Sequence, residues 1–321
     1  MRKPSFAGTV EEYAPRAAIA LALLAIVLLL LSLVPRAPVP ARSVVEVNTS
    51  TPVPIVYVRP SVLPASDVWS ELYERVAPSE GAVLPVTWGR TGPALITSGA
   101  LNFVQFVDSM NRSSRPLTME QANILLSGSG ENVSITRENK LFVLEFFWAL
   151  GLVNNNSILF DGPLSHSESV SIDRFASTGG WRFGNQSVAQ LVGSANILRL
   201  SSMQQALVEN VSKSVYRPCC NNPTYFPDCN HGMAALGLIE FMAYQNASRE
   251  QILSALLYAN SYWFPDNYLD LAEYFKEQGV SWEDVDAGLV LSAEYSSASG
   301  YRNISSQLAR KPVLGTDATS C

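Results

Sequence analysis

Hydrophobic positions divide the chain into one long apolar run and a series of shorter helical patterns. The run covers residues 17–34, carries no charge and contains one serine. As a helix it would be about 27 Å long, at about 1.5 Å per residue, which is just enough to cross a bilayer. The competing interpretation is a secretory signal peptide, because residues 39–41 resemble a small-residue cleavage site, but the run is longer than the usual signal core. We therefore expect an uncleaved transmembrane helix at residues 17–34.

Beyond residue 65, apolar residues recur at helical spacing in eight segments. The predicted helices cover residues 67–76, 118–126, 137–153, 201–216, 232–245, 248–261, 266–278 and 282–294. Ser248 and Ser281 stand ahead of acidic residues, as N-caps do, and Gly279 is placed to end the helix before it. Segments without helical period, which predict loops or short strands, are 85–102 and 175–184. The pattern predicts a mainly α domain over residues 65–310.

The segments around this domain have different compositions. Residues 35–64 contain seven prolines among Val, Ser and Thr, a composition that favours extended backbone and predicts a spacer between membrane and domain. Residues 1–16 precede the anchor and are predicted to be a cytoplasmic tail. Residues 311–321 are polar and end in Cys321, which predicts a flexible tail.

Glycosylation sequons provide the argument for orientation. Asn-x-Ser/Thr occurs at Asn48, Asn111, Asn132, Asn155, Asn185, Asn210, Asn246 and Asn303. All eight follow the predicted anchor, and none is blocked by proline. One sequon arises easily by chance, whereas eight suit a chain that meets a glycosylation machinery. We therefore expect a single-pass membrane protein whose C-terminal domain lies outside the cytoplasm.

Charge and composition exclude some functions. The chain has 22 basic and 28 acidic residues, a net charge of −6, and no basic run after the anchor. Nucleic-acid binding therefore lacks its electrostatic footprint. With 47% hydrophobic and 16% charged residues, the chain can bury a substantial core. No Gly-rich phosphate loop, His-Glu-x-x-His helix or Ser nucleophile elbow is present, so the motifs leave enzymatic activity undecided.

Two predicted helices are apolar nearly all round, which indicates that they lie in the middle of a bundle. Residues 141–152 carry Glu145 as their only charge, and residues 232–244 carry Glu240. A buried carboxylate can serve as a ligand or proton carrier, but burying an ionised carboxylate without partners is costly. We therefore interpret both glutamates as residues at a helix surface that face water.

The most informative segment is 219–231, where three of the four cysteines and one of the two histidines lie within thirteen residues. An apolar helical pattern follows directly, so the loop can bring all four side chains to one point. Thiolates and neutral imidazole are ligands for zinc and, outside the cytoplasm, for copper. The sequence predicts a metal or redox site formed by Cys219, Cys220, Cys229 and His231, with copper or zinc as the metal.

The helix that follows supports this chemistry. Asp228 or Asn230 can cap a helix that begins near His231. The positive N-terminal end of such a helix stabilises a thiolate and disfavours imidazolium. Cys229 and His231 can converge only if Cys229 precedes the helix, because residues i and i+2 point apart within one.

Disulfides are the main alternative for these cysteines in an oxidising compartment. A bond between the adjacent Cys219 and Cys220 would require a strained ring. Each remaining pairing joins Cys229 to one of them and Cys321 to the other. His231 is then an ordinary helix residue, and the domain is a disulfide-stabilised surface module that binds a partner.

Two resemblances bear on the cysteine segment. The residues Pro227-Asp-Cys229, Ala234-Ala-Leu236 and Ser248-Arg-Glu-Gln-Ile resemble the opening helix of papain-like C39 peptidases, in which a cysteine begins an Ala- and Leu-rich helix. That resemblance implies a cysteine nucleophile with a histidine base further along, but no histidine follows His231, and His166 lies upstream. The block CCNNPTYFPDCNHGMAALGL is similar to a segment of uncharacterised membrane-anchored prokaryotic proteins, which implies a functional unit of some twenty residues.

Overall fold

Helices dominate the part of the chain that the structure describes. The computed structural model describes residues 66–167 and 170–308. Its α-helices are α1 (Ser66–Val76), α2 (Thr91–Thr97), α3 (Phe103–Arg112), α4 (Met119–Leu126), α5 (Lys140–Val153), α6 (Ser157–Asp161), α7 (Ala176–Gly179), α8 (Val188–Leu191), α9 (Ser202–Ser214), α10 (Asn230–Tyr244), α11 (Arg249–Trp263), α12 (Pro265–Glu277), α13 (Ala287–Val290), α14 (Ala293–Ser296) and α15 (Ala298–Ser305). The other elements are the strands β1 (Ala82–Gly89) and β2 (Ser129–Ile135) and the 3-10 helices Ile172–Arg174 and Trp282–Asp284. The predicted mainly α class is confirmed for these residues.

Several predicted segments lie outside the described residues. These are the cytoplasmic tail 1–16, the anchor 17–34, the spacer 35–64 and the tail 311–321. Within residues 66–167 and 170–308, no helix is long and apolar enough to cross a bilayer. The described residues all belong to one compact unit of the chain.

Seven of the eight predicted helices are confirmed as α1, α4, α5 and α9–α12, with ends within three residues of those expected. Ser248 caps α11 as predicted, since its Oγ accepts a hydrogen bond from Gln251 N at 3.2 Å. Gly279 follows α12 with a φ of +79°, the left-handed conformation that ends helices. Residues 282–294 were expected to form one helix, and this prediction is wrong. The helix is interrupted at Asp286. The carboxylate of Asp286 accepts a hydrogen bond from Leu289 N at 2.6 Å and caps a new helix, α13.

The two strands form one antiparallel pair. Ala82 lies opposite Ile135, and the pairing continues irregularly to Gly89 opposite Ser129. Alternate residues of β1 are buried, and among them Trp88 packs against α5. Its ring centroid lies 4.9 Å from that of Phe146. The strand pair therefore covers one side of α5. Of the two segments predicted as loops or short strands, 85–102 contains the end of β1 but also the helix α2, and 175–184 contains the short helix α7, so the prediction is wrong where these helices form.

The core is built around the crossing of α5 and α10. A Cβ atom added to Gly151 would lie 2.2 Å from the carbonyl oxygen of Met233, and one added to Gly237 would lie 2.1 Å from that of Phe147. The two backbones therefore touch directly, which only glycine at both positions allows. Helices α9 and α11 also pack against α10, so α10 is buried over most of its length. Its N-terminal end lies at the cysteine segment.

This burial corrects the interpretation of Glu240, which does not face water. Glu240 has no exposed surface, and its Oε2 accepts a hydrogen bond from Asn154 Nδ2 at the end of α5. Burial raises its pKa well above the ordinary value, which favours the neutral acid. Glu145 keeps partial exposure but is enclosed enough that burial raises its pKa to about 8. Both carboxylates are therefore more enclosed than the interpretation as water-facing residues predicted.

Candidate metal centre

The cysteine segment is a loop between α9 and α10 that is fixed by backbone hydrogen bonds at both ends. Thr224 N donates to Val215 O, and Tyr225 N donates to Ser212 O, each at 2.8 Å. On the other side, Cys220 O accepts a hydrogen bond from Ala298 N at 2.8 Å, and Tyr216 N donates to Leu291 O at 2.8 Å. The loop is therefore tied to the end of α9 and to the region of α13–α15.

Three of the predicted ligands come together in this loop. The Sγ atoms of Cys219, Cys220 and Cys229 all lie within 4.8 Å of one another, and those of Cys219 and Cys229 are 3.5 Å apart. None of the three forms a disulfide in the described part of the chain. With a metal–sulfur bond of about 2.3 Å, ligand sulfurs in one site are about 3.8–4.0 Å apart. The three cysteines can therefore bind one metal ion after small movements.

Cys229 is the N-cap of α10. Its Sγ accepts a hydrogen bond from Gly232 N at 3.3 Å, which satisfies one of the N–H groups that every helix leaves open at its start. The sequence proposed Asp228 or Asn230 for this position. Asn230 instead accepts a hydrogen bond from His231 N at 2.9 Å, and Asp228 is engaged by an arginine. A sulfur atom thus lies where the helix dipole stabilises negative charge.

That arginine, Arg217, is a site residue that the sequence patterns did not predict. Its side chain is 1% exposed and lies 2.6 Å from Asp228 Oδ1 through an Nη atom. Its Nε donates to Cys229 Sγ at 3.2 Å, and its Nη atoms donate to the carbonyl oxygens of Asn222 at 2.9 Å and Phe226 at 3.2 Å. One guanidinium therefore organises the loop and contacts a cysteine sulfur. The signal in the sequence was a single basic residue two positions before the cysteine pair.

Gly232 makes room for this arginine. A Cβ atom on Gly232 would lie 2.4 Å from an Nη atom of Arg217 and 2.5 Å from its Cζ. The guanidinium therefore packs directly against the first turn of α10. The glycine that directly follows His231 is needed for the arginine to reach the sulfur.

Electrostatic interactions link the arginine and the three cysteines. Burial lowers the pKa of Arg217, but the three cysteines raise it, and the net shift is upward. Hydrogen bonds with Cys219 and Cys229, together with burial, raise the pKa of the Cys220 thiol, while Arg217 opposes that rise.

His231 is not part of the group of three sulfurs. Its ring is fully buried and lies against Phe264 and Trp263, with ring centroids 4.4 Å and 5.8 Å away. Burial lowers its pKa to about 4, so the imidazole is neutral, as a ligand must be. Its role as a fourth ligand stays a prediction.

The remaining candidates lie elsewhere. His166, the only other histidine, contacts Ser165 Oγ and the carbonyl oxygen of Gly162 through Nδ1. Cys321 lies outside the described residues, so the disulfide scheme that includes it stays a prediction.

Comparison with known proteins does not add to this picture. No family model, curated protein or solved structure matches the chain. Its function therefore has to be argued from the site itself.

Proposed function

We propose that this protein binds a soft metal ion, copper or zinc, through Cys219, Cys220 and Cys229. The observation that supports the proposal is the convergence of three sulfur atoms within 4.8 Å of one another. Soft thiolate ligands favour Cu(I) and Zn(II) over hard cations. Cys219 and Cys220 are partly exposed, whereas Cys229 is buried.

Metal titration of the purified chain under reducing conditions tests this proposal. We expect one Cu(I) or Zn(II) ion per chain, measured by elemental analysis and by competition with a chromophoric chelator. Cys229→Ser should weaken binding by more than about tenfold, because losing a ligand costs at least as much as losing a residue that supports one. Cys321→Ser, which removes the one cysteine outside the cluster, is the matched control and should bind as the wild type does.

Two further results of the same titration are informative. His231→Ala should also weaken binding if the imidazole moves to the metal, and identical curves would remove it from the ligand set. The metal proposal fails if the reduced wild type binds neither ion, or if Cys229→Ser binds as tightly as the wild type.

The alternative function is that of a disulfide-stabilised surface domain. The 3.5 Å separation of the Cys219 and Cys229 sulfurs favours it, since a small movement would bring them to the bond length of about 2.05 Å. Counting free thiols in protein isolated without reductant distinguishes the two. Three or four thiols with bound metal support the metal site, whereas two disulfides without metal support the alternative.

We further propose that this domain is anchored in a membrane and lies outside the cytoplasm. The distribution of asparagines supports the placement. All seven sequon asparagines in the described residues are exposed, namely Asn111, Asn132, Asn155, Asn185, Asn210, Asn246 and Asn303. Of the other eleven described asparagines, only Asn123, Asn196 and Asn221 are exposed. The sequons therefore occupy the positions at which a glycan can be attached.

A further inference from the structure

The cysteine cluster has an unusual balance of fixed charge. The guanidinium of Arg217 is 1% exposed and lies 3.2 Å from Cys229 Sγ through its Nε. The start of α10 contributes a further positive charge of about half a unit at the same sulfur. The carboxylate of Asp228 opposes them, but its side chain is 22% exposed, so water screens it more than the buried guanidinium.

Such surroundings suit anionic sulfur rather than neutral thiols. A buried cation beside the positive end of a helix is unfavourable unless negative charge accompanies it. Asp228 supplies one such charge, with its Oδ1 2.6 Å from an Nη atom of Arg217. Cys229 Sγ is placed to supply a second, because it accepts hydrogen bonds from both Arg217 and Gly232 N. Hydrogen bonds from a charged donor to an anionic acceptor are also stronger than neutral ones.

The amount of negative charge depends on the metal. Three thiolates around Cu(I) leave two negative charges, whereas the same ligands around Zn(II) leave one. Coulomb attraction to a nearby cation is proportional to that charge. A fixed guanidinium therefore stabilises the Cu(I) complex more than the Zn(II) complex.

We infer that Arg217 is a specificity-determining residue of this site, which compensates the charge of a three-sulfur metal complex and biases it towards Cu(I). The inference rests on the proposed metal-binding function and names its preferred ion. Arg217 acts through Cys229 and is not itself a ligand, because a guanidinium has no lone pair to offer.

Measuring the selectivity between the two ions tests this role. The purified full chain is titrated with Cu(I) and with Zn(II) under reducing conditions, as wild type, Arg217→Met and Arg217→Lys. Arg217→Met should lose at least about tenfold more affinity for Cu(I) than for Zn(II), within the range that residues supporting a ligand contribute. Arg217→Lys keeps the charge but not the planar donor geometry, so both affinities should fall while their ratio stays near that of the wild type.

Arg137→Met is the matched control. Arg137 is partly buried, with a side chain that is 28% exposed, and it pairs with Glu74 at 2.8 Å. It donates to the carbonyl oxygen of Ala77 and makes no contact with the cysteine loop. Its loss should leave the ratio of the two affinities unchanged. If Arg217→Met does not fold, Arg217→Gln is the second neutral variant, since it keeps donors for the loop carbonyls.

The possible results distinguish the role of Arg217 in selectivity from the metal-binding function on which that role depends. Equal loss of Cu(I) and Zn(II) affinity in the neutral variants would make Arg217 a purely structural residue and overturn the inference, while the metal site would stand. A wild type that binds neither ion would instead overturn the proposed function.

Discussion

Buried ionisable side chains show how single residues are accommodated in this fold. Arg217 keeps its charge, because a carboxylate, two carbonyl groups and a sulfur surround its guanidinium. Glu240 has one amide donor at Oε2, and its raised pKa favours the neutral acid. Glu145 lies in an intermediate environment, beside a surface pocket lined by Asp108, Arg112 and other polar residues. Partners thus keep Arg217 charged, whereas burial raises the pKa of Glu145 and of Glu240.

Glu145 should make stability depend on pH. Burial raises its pKa from 4.5 to about 8, so between these values the folded protein holds a proton that the unfolded chain has released. Stability from this group is fully present below pH 4.5 and is lost as the pH rises through 8. Glu145→Gln cannot ionise, so its melting temperature should fall less than that of the wild type between pH 5 and about 8.5. Thermal melts followed by circular dichroism measure the difference.

Glu131→Gln is the control for this experiment, because Glu131 is exposed. Its melting temperature should follow the pH dependence of the wild type. Parallel curves for the wild type and Glu145→Gln would contradict the assigned role of Glu145.

At the scale of elements, the crossing of α5 and α10 holds the site in place. The crossing at Gly237 lies eight residues beyond Cys229 in the sequence, about 12 Å along α10 at about 1.5 Å per residue. Because the two backbones are in contact there, α10 is held rigidly. The N-cap sulfur and the first turn that supports it therefore have a fixed position in the fold.

Gly237→Ala should destabilise the fold. The methyl group of the new alanine would lie 2.1 Å from Phe147 O. Because Phe147 O is a backbone atom and cannot rotate away as a side chain can, α5 and α10 would have to separate. Overpacking of this kind costs about 1–3 kcal/mol or more. Chemical denaturation of the two proteins measures the loss. Gly130→Ala is the control, because nothing lies within 4 Å of the added atom; equal stabilities of the two variants would show that the crossing tolerates a side chain.

The sequence predicted seven helices correctly and missed α3 together with several short ones. Apolar periodicity and caps such as Ser248 located α11 and its neighbours, because local pattern and tertiary packing agree there. The helix α3 was missed, although Asn102 caps it by accepting a hydrogen bond from Gln105 N at 3.1 Å. Three of the predicted ligands are close in the sequence and proved close in space. Arg217 and the burial of Glu240 could not be predicted, since both depend on which elements surround them.

At the scale of the whole molecule, the exposed sequons and the predicted anchor lead to the same expectation. In Asn185, Asn210 and Asn246 the side-chain oxygen accepts a hydrogen bond, from Asn102, Arg249 and Gln204 respectively. Each of these hydrogen bonds uses the Oδ1 atom of the asparagine. They do not use the Nδ2 atom, to which a glycan is attached. The surface is thus compatible with glycosylation at every described sequon.

Protein isolated from its own cells should sediment with membranes and carry glycans at several of these asparagines. Protease added outside intact cells should digest residues beyond about 64, because the domain is expected on that side of the membrane. Mass spectrometry of tryptic peptides before and after enzymatic deglycosylation locates the modified sites. Recovery in the cytosol, with unmodified sequon peptides, would contradict the proposed placement and the copper chemistry that depends on it.

The hydrogen bonds that join the cysteine loop to the end of the described chain make the site difficult to transplant. Cys220 O and Tyr216 N are held by Ala298 N and Leu291 O, and Asn221 Oδ1 accepts a hydrogen bond from Ser299 N at 2.8 Å. These partners lie more than seventy residues further along the sequence. A protein that inherited only the CCNNPTYFPDCNHG segment would therefore have the sulfur atoms but not the scaffold that gathers them. The loop and the α13–α15 region have to evolve as one module.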